Sequence, residues 1–174
     1  MVEMSSSATA AVTLPTDREI LITREFDAPR ELVYRAWTTP ELIKQWWSGN
    51  RGVTTLAEVD LRVGGTWRYV HQDNDGFEVA FHGEFHEIVP AERIVSTEIY
   101  EGTSQPVEGD TYPPGDEQGT LNTVTFEEID GRTRLSMLVK CPSTEVRDAI
   151  MESGMDIGMQ EAWAKLEEVA TSLR

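Results

Sequence analysis

The sequence is short of cysteine, histidine and positive charge, and each shortage removes a class of function. Of 174 residues only Cys141 is a cysteine, so an internal disulfide framework is excluded. Cys141 ends a stretch of apolar alternation, which suits a buried, inert thiol better than a reactive one. Lysine and arginine number 15 against 31 aspartates and glutamates, a net charge of −16. Nucleic acids and anionic membranes are held by clustered Lys and Arg, so neither is expected as a partner. The acidic residues are dispersed, as on the solvated surface of a cytoplasmic protein. No run approaches the roughly 18–20 apolar residues of a membrane span. Residues 1–16, rich in Ser, Ala and Thr, lack the basic and apolar regions of a secretion signal. They read as a loose tail, followed by a single domain over 17–174 that is long enough to bury a sizeable core.

Metal and nucleophile chemistry find little support. The histidines are His71, His82 and His86. His82 and His86 share a strand face, but four strand residues span about 13 Å, too far to share an ion bound at about 2 Å. The chain has no Gly-x-Ser-x-Gly elbow, no Cys–His pair at a recognisable spacing and no phosphate-cradling glycine loop followed by Lys. Gly64-Gly65 precedes a strand-like segment, so it reads as a turn or bulge. No catalytic residue, metal or cofactor is expected.

The periodicities are clear. Glu19–Asp27 alternates, with Ile20, Ile22, Arg24 and Phe26 on one face, and is expected as a strand. Asp27-Ala28-Pro29 and Thr39-Pro40-Glu41 then open two short helices, with Thr39 as N-cap and Pro40 at the first helical position of the second. From there the period becomes two over Val53–Asp60, Thr66–Gln72, Phe77–Val89, Arg93–Glu101, Gly119–Glu128 and Thr133–Cys141. Most breaks between them are hairpin-sized, so consecutive strands are expected to pair antiparallel. Gly102–Gln118, dense in Gly and Pro, is too long for a plain hairpin loop. It is either an irregular excursion or a lid, with Tyr112 as its one large plug.

A closing helix carries Met155, Met159 and Trp163 every four residues, one soft stripe along a single face. Gly154 and Gly158 repeat at the same spacing; glycine costs about 1 kcal/mol against alanine inside a helix, so a geometric need is indicated. The stripe is either ordinary core or the wall of a cavity that methionine adapts to irregular shapes. Facing it are expected Trp67, Tyr69 and His71 from one strand, Phe81 and Phe85 from the next, and Tyr100 from a third. Glu98 shares parity with Ile94, Ser96 and Tyr100. It is either an exposed strand residue near an edge or a carboxyl turned inward with a raised pKa.

The order strand, two short helices, six strands, long C-terminal helix resembles the helix-grip fold of the START-like (SRPBCC) superfamily. Local motifs sharpen the resemblance: Arg24-Glu25-Phe26-Asp27-Ala28-Pro29, Trp46-Trp47, Val63-Gly64-Gly65-Thr66-Trp67, Gly83-Glu84-Phe85-His86-Glu87-Ile88-Val89-Pro90, Thr97-Glu98, Gly131-Arg132-Thr133 and the Gly-Met repeats. Over residues 18–173 they look like a bacterial-type member of the family named after the C-terminal domain of the activator of heat-shock-protein-90 ATPase. The resemblance implies an α+β fold, a curved antiparallel sheet of six or seven strands wrapped around the C-terminal helix, with a cavity between them. The cochaperone that named the family carries an Asn-rich, Trp-containing N-terminal motif, for which residues 1–16 have no counterpart.

The leading expectation is a cytoplasmic protein that binds a small apolar or aromatic molecule through Trp67, Tyr69, His71, Phe81, Phe85, Glu98, Tyr100, Met155, Met159 and Trp163. The alternative is a protein–protein module regulating a heat-shock-protein-90-type chaperone. A third is a cyclase- or hydrolase-like enzyme using cavity acid–base groups, as START-like enzymes do. A homodimer stays open.

Overall fold

Alternation with a two-residue period puts every second side chain on one face, and the strands obey it closely. The computed structural model describes residues 9–104 and 119–174. Strands β1 (Ala11–Thr13), β2 (Glu19–Phe26), β3 (Gly52–Val59), β4 (Thr66–Asp73), β5 (Glu78–Val89), β6 (Arg93–Ser104), β7 (Thr120–Ile129) and β8 (Arg132–Lys140) form one sheet. Its order is β1-β2-β8-β7-β6-β5-β4-β3, and every neighbouring pair is antiparallel. Ile20, Ile22, Arg24 and Phe26 are all buried, the inward face expected of β2. Register shifts between Thr54 and Leu56, and at two points of the β5–β6 pair, are the irregularities that let a long sheet bend.

Helices α1 (Arg30–Thr38) and α2 (Pro40–Trp46) follow β2, and α3 (Thr144–Glu152) and α4 (Met155–Ser172) close the chain. Pro29 is the N-cap of α1, and Pro40 stands at the start of α2. Thr39 holds the N-cap position of α2 in extended backbone, but its hydroxyl makes no cap bond. The architecture is the helix-grip α+β fold.

Three expectations are corrected. The sheet has eight strands rather than six or seven, because Ala11–Thr13, assigned to a loose tail, pairs with β2 as an edge strand. Gln160 anchors that segment by accepting from Ala10 N–H at 3.0 Å and donating to the Ala10 carbonyl at 2.6 Å. A partner 150 residues away leaves no local trace. The final helical segment is two helices, broken at Gly154, whose φ of 85° lies in the left-handed region that favours glycine. The stretch expected as a loop over 102–118 continues β6 as far as Ser104. Its remainder, with Tyr112, lies outside the described residues, as do residues 1–8.

The core is uneven along α4. Trp163, Leu166, Val169 and Ala170, in its second half, are buried against Phe26, Val33 and Ala36. Trp46 donates its indole N–H to the Ala36 carbonyl at 2.9 Å, tying α2 to α1. The first half of α4 carries Met155 and Met159, only half-buried. There the sheet and the helix do not close on each other.

Candidate functional site

Beneath the first half of α4 lies a hollow of about 520 Å³, continuous in its walls with a second lobe of about 760 Å³. Phe81, Glu98, Met137, Met155 and Met159 face both lobes. These volumes fall in the range of small-molecule sites, about 300–1,000 Å³. The second lobe is roofed by Val146, Ala149 and Ile150 of α3, a helix without a single fully buried residue.

One end of the first lobe is aromatic. Trp47 stands edge-on to Tyr69 and Phe81, with ring centroids 5.2 and 5.6 Å apart, and Trp67 lies against Tyr69 at 4.6 Å. Such tilted and edge-to-face pairs suit the ring quadrupoles. Gly83 makes room for this cluster: a Cβ there would collide with the Thr97 carbonyl oxygen and Trp67 Nε1. In its absence the Trp67 indole crosses β5 and donates to the Thr97 carbonyl at 3.2 Å.

The polar floor is built from β6 and β7. The Thr120 hydroxyl donates to Asn122 Oδ1 at 2.8 Å, and Asn122 Nδ2 donates to Glu98 Oε1 at 2.7 Å. The second Glu98 oxygen has no hydrogen-bond partner among the described residues. Burial pushes the Glu98 carboxyl above its ordinary value, and the Asn122 bond offsets part of that rise. The Tyr69 phenol is also held far up, first by burial and then by the Glu98 charge, so it is a protonated donor. It too has no hydrogen-bond partner among the described residues. His71 Nδ1 lies 2.8 Å from Ser48 Oγ, which is 2.7 Å from the Thr54 hydroxyl. Burial lowers the His71 pKa, helped by Arg51 and opposed by Asp73, leaving a neutral imidazole at pH 7.

The expected residues come together. Trp67, Tyr69, His71, Phe81, Phe85, Glu98, Met155, Met159 and Trp163 all line the first lobe. Trp163 is fully buried and packs on Phe26 and Trp37, so it belongs as much to the core as to the wall. Tyr100 stands at the rim of the second lobe, 37% exposed, with its hydroxyl 2.8 Å from that of Thr103. Of the two orientations open for Glu98 the structure takes the inward one: β6 is flanked by β5 and β7, and Glu98 lies on the face of buried Ile94 and of Ser96, which line the same lobe. Gly154, expected inside a helix, is the joint between α3 and α4. Gly158 meets no protein: a Cβ there would have nothing within 4 Å.

Sequence reasoning missed Trp47, Asn122 and Ser48. Asn122 was legible as the amide in the inward series Thr120, Asn122, Val124, Phe126. Trp47 sits one residue past α2, where helical spacing no longer tells which way a ring turns. Cys141 is buried. Among the described residues no group of three or more His, Cys, Asp or Glu is placed to hold a metal ion, and no helix is long and apolar enough to cross a membrane. His82 pairs with Glu101 at 2.7 Å, and Arg68 clasps the same carboxylate through two hydrogen bonds.

Residues 27–171 match the sequence profile of the family described as Activator of Hsp90 ATPase homolog 1-like protein. No curated protein matches the chain. Among solved structures, a protein of Rhodobacter sphaeroides is 24% identical with a TM-score of 0.80, covering 94% of this chain and 99% of its own. A protein of Mycobacterium smegmatis is 22% identical with a TM-score of 0.79, over 94% and 98%. One from Nitrosomonas europaea is 23% identical with a TM-score of 0.77, over 91% and 97%. At these identities the likeness is one of fold.

Proposed function

The chain belongs to the Activator of Hsp90 ATPase homolog 1-like family, and we propose that it binds a small apolar or aromatic molecule between the sheet and α4. The observation that carries this reading is the hollow itself. Methionine and aromatic side chains surround a space that no protein atom fills, with a few polar groups converging at one end. Close-packed interiors leave few voids larger than a water molecule, so a space of this size calls for an occupant. Trp67, Tyr69, Phe81, Phe85, Met155 and Met159 supply the apolar contact; Tyr69, His71 and Glu98 orient it. Tyr100 borders the entrance side of the second lobe. We take the sheet from β1 onward, with the helices packed on it, as one binding domain and place it in the cytoplasm, supported by the dispersed acidic surface and the lone buried cysteine.

Titration with N-phenyl-1-naphthylamine, a neutral probe that fluoresces in apolar surroundings, tests the reading. Saturable binding at one site per chain is expected, with quenching of tryptophan emission, and native mass spectrometry of protein from its own host should show a co-purifying mass. A probe that stays dark at saturating protein, together with a bare protein mass, overturns it. The family's description favours a second reading, regulation of a chaperone ATPase. Mixing the protein with its host's heat-shock-protein-90 homologue and finding neither co-migration nor a changed ATPase rate would remove that one.

A further inference from the structure

Among the described residues the hollow is lined by one acid, the half-buried Glu98, and by no cation free to pair with it. Glu98 lines the space, its second oxygen has no hydrogen-bond partner among the described residues, and the Asn122 amide on its first oxygen carries no charge. Among the described lining residues the one permanently cationic side chain is Arg51, which lies 3.5 Å from the Glu161 carboxylate. The groups around Glu98 are otherwise uncharged: the Tyr69 phenol from β4, Asn122 from β7, and the thioethers of Met155 and Met159 from α4. His71, further along β4, is neutral at pH 7. Aromatic rings stand beside this acid. The Trp67 indole reaches the backbone of Thr97, the residue before Glu98, and Tyr69 is close enough to respond to its charge.

A half-buried carboxylate on the wall of an apolar hollow, with no counter-charge and aromatic rings beside it, is the chemistry that recognises an organic cation. The acid supplies the charge, and the ring faces attract an ammonium through their quadrupoles. We propose that the occupant of this hollow is an apolar or aromatic amine, its single protonated nitrogen paired with Glu98 and hydrogen-bonded by the free carboxylate oxygen. This rests on the cavity-binding reading and narrows it. Burial raises the Glu98 pKa in the empty protein and the arriving ammonium lowers it, so below the folded pKa binding releases a proton from Glu98 to solvent. The overall charge of −16 draws cations toward the molecule and repels anions.

Three isosteric probes separate the possibilities: 1-naphthylmethylamine, 1-naphthylmethanol and 1-naphthoate, titrated at pH 7 by tryptophan quenching and calorimetry. The amine is expected to bind at least tenfold more tightly than the alcohol, with the carboxylate weakest. Glu98→Gln is expected to bring the amine down to the level of the alcohol, both measured on the variant. Calorimetry of the wild-type protein in two buffers of different ionisation enthalpy at pH 4.5, which needs no variant, is expected to show proton release with the amine and none with the alcohol. Equal binding of amine and alcohol, or an amine preference that survives Glu98→Gln, overturns the amine assignment while the cavity reading stands. Absence of binding by all three overturns both.

Discussion

Arg24 of β2 and Glu167 of α4 meet at 3.2 Å across the seam between sheet and helix, with the guanidinium almost wholly buried. Arg24 Nη1 also donates to the Trp163 carbonyl at 3.3 Å, and its guanidinium lies 4.6 Å from the centre of the Phe26 ring. The other Glu167 oxygen accepts the Asp27 N–H at 2.7 Å. This clamp holds the packed half of α4 to the sheet, and so decides where the unpacked half stands off it.

The two ends of the clamp should differ in cost. Glu167→Ala takes the facing carboxylate from a buried cation that keeps its Trp163 carbonyl bond, and removing one partner of a fully buried pair costs about 3–5 kcal/mol. Glu167 is partly solvated, so about 2–3 kcal/mol is expected. Arg24→Met leaves a carboxylate that water can reach, and should cost less. Urea midpoints of the two variants check the order; the reverse order would mean that Arg24 acts chiefly by packing its stem.

Glu98 gives the protein a pH signature. Its folded pKa stands above the ordinary 4.5, so the folded state keeps a proton that the unfolded chain has lost. Stability therefore falls as pH rises from about 4.5 through the folded value. Glu98→Gln keeps an oxygen for Asn122 and removes the titration. Its stability relative to wild type should grow between pH 4 and pH 7.5 in urea unfolding. A constant difference across that range would show that the carboxyl hydrates freely inside the hollow.

Gly158 faces open space on a helix. Gly158→Ala should raise stability by about 1 kcal/mol through helix propensity alone, seen as a rise of roughly 2–4 °C in Tm. Gly158→Leu should keep the fold while its side chain takes ligand space, weakening N-phenyl-1-naphthylamine binding severalfold. Undiminished binding of the probe would place it away from α4.

Gly83 is the opposite case. A methyl group there meets a strand carbonyl and the Trp67 indole, so Gly83→Ala should cost about 2–3 kcal/mol as an overpacked site. Displacement of the indole should shift tryptophan emission to the red. A variant as stable as wild type, with unchanged emission, would show that β5 and β6 separate easily here.

The inward faces were readable because alternation is a local property. Ile20, Ile22 and Phe26, or Trp67, Tyr69 and His71, face one way whatever the sheet does next. Helix starts at Pro29 and Pro40 were equally local, since proline fixes its own φ and lacks a donor. The edge strand Ala11–Thr13 was not, because its anchor is the Gln160 amide, far along the chain. Nor was the break at Gly154: glycine at helical spacing looks the same whether the helix continues or turns left-handed.

The site divides along the same line. Residue type and strand parity by themselves determined which side chains could face α4, and with them an aromatic and methionine surface carrying Glu98. Only the tertiary structure decided that this surface encloses space instead of closing into core, because that depends on how far α4 is held from the sheet by Arg24, Glu167 and the bulk of Trp163. It also decided the state of Glu98. A carboxyl takes its pKa from everything within a few ångströms, and Asn122, Tyr69 and the hollow are brought to it by strand pairing and packing, through contacts that no local stretch of sequence contains.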